Sequence, residues 1–130
     1  MNTPSRRVLL VEDSRFLRKA AETVLTRQGY AVVTAADGEE ALIVARRELP
    51  DLVLLDLIIP KLDGFAVLRA LKEDPTTAHI PVIVLSNLGQ EGDVQQVRDA
   101  GAAAYVVKAT LALSDLPQHV EAALRDVTTP

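Results

Sequence analysis

The stretch Asp51-Leu-Val-Leu-Leu-Asp56-Leu-Ile-Ile-Pro60 decides the fold. Its apolar run, Leu52 to Leu55, is too long for a strand that has one face in water. A continuous apolar run bounded by turn residues is typical of a strand buried on both faces in the middle of a parallel sheet. This strand ends directly on the carboxylate of Asp56, and open α/β sheets bind their ligands at the carboxyl ends of the strands. The sequence therefore predicts a functional site at Asp56.

Length and composition indicate one domain with an aliphatic core. The 130 residues are 48% hydrophobic but only 3% aromatic, so the core must be built from Val, Leu, Ile and Ala. The net charge is −4 and no basic stripe is present, so we expect no nucleic-acid binding by this domain. The lack of cysteine excludes disulfides and thiolate chemistry and favours a cytoplasmic setting. The N-terminal apolar run Val8–Val11 is too short for a signal peptide or a membrane span, so no membrane partner is expected.

Strand-like and helix-like patterns alternate on both sides of this central strand. Further strands are predicted at 8–11, 30–35, 80–85 and 103–107. Helices are predicted after the cap Ser14, after the cap Asp37, over 64–73, over 90–100, and after Ser114-Asp115. This alternation predicts an α/β fold with a doubly wound, five-stranded parallel sheet and right-handed crossovers. We expect one domain over 1–130, with 1–6 as an N-terminal tail and 127–130 as a tail or the start of a linker.

The helical periodicity also predicts which side chains are buried. In the first helix, Phe16 falls on the apolar face, and Gly29 is expected to end the helix. In the second helix, Glu40 is placed to form a capping box with Asp37, and Leu49 falls on the apolar face.

Polar side chains fall where the predicted strands end: Glu12-Asp13, Asp56, Ser86 and Lys108. Clustered carboxylates repel one another unless a cation neutralises them. Oxygen ligands with no His or Cys nearby indicate Mg²⁺. A lysine and a hydroxyl opposite the metal could stabilise the oxygens of an incoming phosphoryl group. The pattern therefore predicts phosphoryl transfer, with Asp56 as the carboxylate nucleophile.

On these residues, the chain resembles a response-regulator receiver domain, the aspartate-phosphorylated switch of two-component signalling, over nearly its whole length. The matching positions are Glu12 and Asp13 for the acidic pair, Asp56 for the phosphoacceptor, Ser86 for the conserved hydroxyl, Tyr105 for the switch aromatic and Lys108 for the conserved lysine. Pro60-x-x-Asp63-Gly64 and Gly101-Ala102 match the family's turns. The resemblance implies strand order 2-1-3-4-5, with helices 1 and 5 on one face and helices 2 to 4 on the other.

The resemblance also implies a ligand set and partners. Mg²⁺ would be bound by Asp13, Asp56 and the backbone carbonyl of Ile58, with Glu12 acting through water. The phosphoryl donor would be a sensor histidine kinase or a histidine phosphotransfer protein, and the downstream effector is unknown. A homodimer through helix 4, strand 5 and helix 5 is one possibility. Ala103 and Ala104 replace the acidic residues that form the salt-bridged dimer of winged-helix transcription regulators, which weakens the case for that type of dimer. The protein would not be an enzyme in the usual sense, because it only catalyses its own phosphorylation and dephosphorylation.

Two positions that flank the phosphoryl group in the family are apolar here, Ile58 and Leu88. Because neither side chain can orient an attacking water, we expect slow dephosphorylation. The family's usual proline after the lysine is replaced by Ala109. A cis bond before a non-proline residue costs roughly 3–4 kcal/mol, so we predict a trans bond, with Leu111 or Leu113 tucked under the last helix.

Other functions remain open on the sequence. A receiver-like scaffold that binds proteins without phosphorylation is the main alternative. A Mg²⁺-dependent aspartyl-phosphate phosphatase is disfavoured because it requires a second Asp where Ile58 stands. A flavodoxin-like carrier is disfavoured because Glu12 and Asp13 occupy the loop that would hold its phosphate.

Overall fold

The computed structural model describes residues 6–87 and 91–128, and for 91–93 and 126–128 it describes the backbone alone. The strands are β1 (Arg7–Val11), β2 (Ala31–Ala35), β3 (Leu52–Asp56), β4 (Val82–Ser86) and β5 (Ala104–Val107). The helices are α1 (Arg15–Arg27), α2 (Gly38–Glu48), α3 (Gly64–Glu73), α4 (Glu91–Asp99) and α5 (Leu116–Thr128). No helix among the described residues is long and apolar enough to cross a membrane.

The sheet is parallel and five-stranded, in the order β2-β1-β3-β4-β5. Both predictions, the doubly wound α/β class and the strand order, are confirmed. Every residue of β3 is buried, as the apolar run predicted, because helices cover both faces of the sheet. One core layer lies beneath α2, α3 and α4 and includes Val53 and Leu55. The other lies beneath α1 and α5 and includes Leu52 and Leu54.

The strand register brings the polar residues to one edge of the sheet. Val11 pairs with Leu55, so the residues that follow them, Glu12 and Asp56, continue side by side. Asp56 itself pairs with Leu85, one residue before Ser86. Because all strands are parallel, their carboxyl ends share this edge, and the sequence prediction of a site there has a structural basis.

Two buried-face predictions were wrong. Phe16 is 80% exposed, whereas Ala21 and Leu25 of the same helix are buried. Leu49 is 52% exposed, because the helix ends before it and it adopts a left-handed conformation (φ 46°) as the C-cap. Helical periodicity alone therefore did not predict the exposure of either residue.

The predicted helix termini are largely confirmed. Asp37 accepts the backbone N–H of Glu40 at 2.8 Å, and the Glu40 carboxylate accepts the N–H of Ala36, one residue before the cap. Gly29 lies just after α1 with φ 94°, a conformation that favours glycine. At the other end of the chain, Ser114 lies inside a short 3₁₀ turn, and α5 begins only at Leu116.

The connection between β5 and α5 begins with the Lys108-Ala109 peptide bond, whose isomer the sequence analysis predicted. No peptide bond among the described residues is cis, so the Lys108-Ala109 bond is trans, as predicted. A 3₁₀ turn over Lys108–Thr110 and a second over Leu113–Asp115 lead into α5. Leu111 and Leu113 are partly buried against the core layer beneath α1 and α5. The predicted packing of this loop is therefore confirmed.

Candidate functional site

A triad of carboxylates lies at the carboxyl edge of the sheet. Glu12, Asp13 and Asp56 can each present one oxygen so that all three oxygens lie within 4.8 Å of one another. The side chains of Glu12 and Asp56 are only 7% and 9% exposed, whereas Asp13 is exposed. β1 and its following turn supply the first two carboxylates and β3 supplies the third. The cluster is therefore rigidly anchored and open to solvent on the Asp13 side.

Lys108 reaches into this cluster from the end of β5. Its Nζ lies 2.7 Å from Asp56 Oδ2 and also forms an ion pair with Glu12 Oε1. Burial by itself would lower the pKa of the Lys108 ammonium. The hydrogen bonds and charges of Asp56 and Glu12 outweigh burial, so the pKa of Lys108 is raised above its ordinary value. The lysine thus stays protonated beside the candidate nucleophile.

Backbone amides fix the two buried carboxylates. Asp56 Oδ1 accepts the N–H of Ile58 at 3.0 Å, and Glu12 Oε2 accepts the N–H of Ser14 at 3.0 Å. The Asp13 carboxylate forms no hydrogen bond or ion pair with any residue that the structure describes. Asp13 is therefore the member of the triad that is most available to a new ligand.

Arg18 supports the acidic pair from α1, a contact that the sequence analysis missed. Its Nη1 donates to the backbone carbonyl of Glu12 at 2.8 Å and lies 3.4 Å from that of Asp13. The hydrogen bonds hold the turn between β1 and α1 in place and bring a second positive charge toward the cluster. The only sequence signal was a cation shortly after the acidic pair, on a helix that starts at once.

Ser86 and Tyr105 belong to the neighbouring strands β4 and β5. Tyr105 pairs with Val84, whose side chain belongs to the core layer beneath α2 to α4, and Tyr105 packs against that layer. Ser86, two residues beyond Val84, points to the same side and is fully buried. Ser86, whose hydroxyl was predicted to belong to the site, directly follows Leu85, the strand partner of Asp56. Its side chain points to the same face of the sheet as that of Tyr105.

An open cleft of about 280 Å³ lies over the triad. Its lining residues are Glu12, Asp13, Ser14, Leu17, Asp56, Ile58, Asn87 and Lys108. The Ile58 side chain is 61% exposed at its rim. Ser86 and Tyr105, both described by the structure, do not line the cleft. Leu88, which was predicted to slow dephosphorylation together with Ile58, lies outside the described residues. The cleft therefore gathers the predicted metal ligands and the lysine, but not the predicted switch residues.

The donor set fits a magnesium ion. The triad offers carboxylate oxygens alone, and no His or Cys belongs to it. With its carboxylates ionised, the triad carries three negative charges against the ammonium of Lys108, and a divalent cation would balance the remaining two. Hard, oxygen-only sites of this kind suit Mg²⁺ or Mn²⁺.

A sequence model of the family described as "Response regulator receiver domain" matches residues 8–121. The chain belongs to the response-regulator receiver family. The receiver fold accounts for the order of the strands and for the polar residues at their carboxyl ends.

Three known proteins illustrate the similarity. The receiver is 45% identical to "Response regulator PleD" of Caulobacter vibrioides over 104 residues, which are 80% of this chain and 23% of that protein. It matches the structure of the chemotaxis response regulator CheY4 of Vibrio cholerae with a TM-score of 0.86 and 28% identity, covering 92% of this chain and 99% of that one. It matches the Mn²⁺-bound form of response regulator Rcp1 with a TM-score of 0.81 and 31% identity, covering 96% and 99% of the two chains.

The curated relatives are longer than this receiver. The chain spans 15% of a gliding motility regulatory protein of Myxococcus xanthus and 53% of a probable transcriptional regulator, ycf27, of Cyanophora paradoxa. The similarity therefore concerns the receiver, and the remaining parts of those proteins carry no information about this chain.

Proposed function

We propose that this receiver is a phosphorylation-activated switch in which Asp56 accepts a phosphoryl group in a Mg²⁺-dependent reaction. The donor is the phosphohistidine of a sensor histidine kinase or of a histidine phosphotransfer protein. The observation that carries the proposal is the contact between Lys108 Nζ and Asp56 Oδ2 inside the carboxylate triad. In this contact the buried Asp56 carboxylate is paired with the Lys108 ammonium, which could also donate a hydrogen bond to the incoming phosphoryl group.

The reaction forms one bond and breaks another. A carboxylate oxygen of Asp56 attacks phosphorus, the P–N bond of the phosphohistidine breaks, and its electron pair returns to the imidazole nitrogen. Because Lys108 already contacts Asp56, its ammonium can donate to a phosphoryl oxygen as the transfer proceeds. Ser86, at the end of the neighbouring strand, would donate its hydroxyl to another phosphoryl oxygen. Phosphoryl transfer needs mainly this positioning and charge stabilisation.

Asp13, Asp56 and the backbone carbonyl of Ile58 would hold the magnesium ion, and Glu12 would act through water. When bound, the cation supplies charge neutralisation for the acceptor carboxylate and the phosphoryl oxygens. The all-oxygen triad and the exposed Asp13 carboxylate support this assignment. The Mn²⁺-bound form of Rcp1, 31% identical to this chain, supports a divalent cation as well.

The output is a change of partner preference on the α4–β5–α5 face. Phosphate on Asp56 would draw the Ser86 hydroxyl toward it, and Tyr105 would turn into the space that is vacated. Both side chains lie on the same side of the sheet, on neighbouring strands, so they can move together. Such a switch needs two packing arrangements and one new set of charge-assisted hydrogen bonds that favours one of them. We also expect the loop over residues 87–92 to shift on phosphorylation, and residues 88–90 of this loop lie outside the described residues.

The proposal is tested by intact-mass spectrometry after incubation with acetyl phosphate, a small phosphoryl donor. We expect one phosphoryl adduct on the wild-type protein with Mg²⁺, and none on Asp56→Asn or in EDTA. An exposed acid offers the matched control, so Asp115→Asn should be phosphorylated like wild type. No adduct under any condition would favour the scaffold function, and steady release of phosphate from many donors would favour the phosphatase.

A further inference from the structure

The first residue of α2, Gly38, lies against the loop that follows Asp56. Its N–H donates to the carbonyl of Pro60 at 3.2 Å. A Cβ built on Gly38 would lie 2.6 Å from Leu62 Cβ and closer still to the Leu62 carbonyl oxygen. Real Cβ atoms do not approach backbone atoms this closely, so only glycine permits the contact.

Other contacts hold the same loop. Leu62 donates its N–H back to Pro60 at 2.8 Å, and Lys61, between them, adopts a left-handed conformation (φ 70°). Lys61 Nζ lies 3.6 Å from the carboxylate of Asp37, the N-cap of α2. The loop therefore contacts the start of α2 through a tight turn, a hydrogen bond, an ion pair and a glycine contact.

The other end of the loop is equally constrained. Gly64, the first residue of α3, donates its N–H to the Leu57 carbonyl at 2.9 Å, and a Cβ there would lie 2.6 Å from the Asp56 carbonyl oxygen. Ile58, which lies between these constraints, lines the cleft and donates its N–H to Asp56 Oδ1. The loop that carries the proposed carbonyl ligand is therefore positioned from both sides.

We propose that Gly38 is a positioning residue for the magnesium site: by allowing α2 to contact Leu62, it holds the Ile58 carbonyl where the cation needs it. The inference rests on the proposed function, because it assumes that the cleft binds Mg²⁺. Gly38 is not among the residues that line the cleft, so it would act through the loop. Alanine is ordinarily better than glycine inside a helix, so a defect in Gly38→Ala arises from the contact with the loop.

The experiment compares Mg²⁺ affinity, measured by isothermal titration calorimetry, for wild type, Gly38→Ala and Gly29→Ala. Gly29 is the control for a general loss of stability, because its φ of 94° is strained for alanine although a Cβ there meets nothing within 4 Å. Mutation of a group that supports a metal ligand typically lowers metal affinity about 10–100-fold. We expect Gly38→Ala to raise the Kd for Mg²⁺ about 10-fold. Gly29→Ala should bind Mg²⁺ like wild type although it is less stable. In addition, the acetyl phosphate rate of Gly38→Ala should recover at saturating Mg²⁺, which a purely structural defect would not do.

A milder variant covers the case in which Gly38→Ala does not fold. Lys61→Ala removes the ion pair with Asp37 and adds no atom, and we expect about a twofold rise in the Kd for Mg²⁺. If wild type binds Mg²⁺ and Gly38→Ala binds it equally well, or if Gly29→Ala is equally impaired, the inference is wrong and the proposed function stands. If wild type itself neither binds Mg²⁺ nor accepts phosphate, the proposed function fails.

Discussion

Lys108 Nζ lies 2.7 Å from Asp56 Oδ2, although the two residues are 52 positions apart in the sequence. The contact exists because β5 and β3 end at the same edge of the sheet, with β4 between them. Lys108 also pairs with Glu12, so two buried carboxylates share one ammonium. We expect this lysine to stabilise the fold in the unphosphorylated protein and to stabilise the phosphoryl group in the proposed reaction.

The first prediction concerns this double role of Lys108. Lys108→Met leaves Glu12 and Asp56 buried without their cation, and removing one partner of a fully buried pair costs about 3–5 kcal/mol. The Lys108 side chain is 20% exposed, so we expect a loss of about 1–2 kcal/mol in the free energy of unfolding. The measurement is urea denaturation in EDTA. Because a donor to the phosphoryl oxygens is lost, the acetyl phosphate reaction should slow by about 10²-fold.

Lys19→Met is the control for Lys108→Met. Lys19 is 78% exposed, and its only ion pair with a described residue is a surface pair with Glu22. Its removal should therefore change the free energy of unfolding by less than about 0.5 kcal/mol. An unchanged stability of Lys108→Met in EDTA would contradict the described ion pairs.

The second prediction concerns the phosphoryl lifetime. Ile58 is 61% exposed and lines the cleft, yet its side chain has no group that can hold a water molecule for attack. We expect Ile58→Gln to shorten the lifetime of the phosphorylated protein by about 10-fold, in line with general gains from orienting a reactant. Ile58→Val, which stays apolar, should leave the lifetime unchanged. The rate of phosphate release from the purified phosphoprotein measures the lifetime of each variant. Equal lifetimes for Ile58→Gln and wild type would show that residue 58 does not control hydrolysis of the phosphoryl group.

The third prediction concerns pH and Asp37. The hydrogen bond from the Glu40 N–H, aided by the charge of Lys61 and opposed by partial desolvation, lowers the pKa of Asp37 below its ordinary value of 3.8. A carboxyl with a lower pKa in the folded state stabilises the fold above the ordinary value and loses this contribution as the pH falls through the folded-state pKa. The stability of wild type relative to Asp37→Asn should therefore fall as the pH is lowered through and below 3.8. A difference that does not change with pH, or a normal Asp37 pKa in a carbon-13 NMR titration, would contradict this.

The fourth prediction concerns the switch. Beryllofluoride, a phosphate mimic, should change amide hydrogen exchange in residues 86–106 of the wild-type protein, because the Ser86 hydroxyl and Tyr105 would take new positions. Ser86→Ala should lose most of this change, whereas Ser86→Thr, which keeps the hydroxyl, should retain it. Identical exchange with and without the mimic in the wild-type protein would show that the proposed coupling does not exist.

The fold was predictable because its three inner strands, β1, β3 and β4, are marked by buried apolar runs. Parallel strands that are buried on both faces cannot alternate polar and apolar residues, so runs such as Leu52–Leu55 are visible without any other information. The triad was predictable for a related reason. Within such runs a charged residue is tolerated only at the end, so Asp56 and Lys108 mark the site.

The remaining features depend on contacts between distant parts of the chain. Nothing in the sequence near Gly38 shows that a loop carrying Leu62 will come within van der Waals contact of it. Likewise, the Arg18 contact with the backbone depends on the path of the turn after β1. The helical pattern assigns Phe16 to the apolar face, yet it is 80% exposed in the fold.

The central claim is that Asp56 is the residue that accepts the phosphoryl group, and peptide mapping of the phosphorylated protein tests it most directly. Borohydride reduces an acyl phosphate on aspartate to homoserine, which marks the acceptor by mass. After acetyl phosphate and Mg²⁺, we predict homoserine at position 56 and unmodified aspartate at position 13. Homoserine at position 13, or at any position other than 56, would contradict the account.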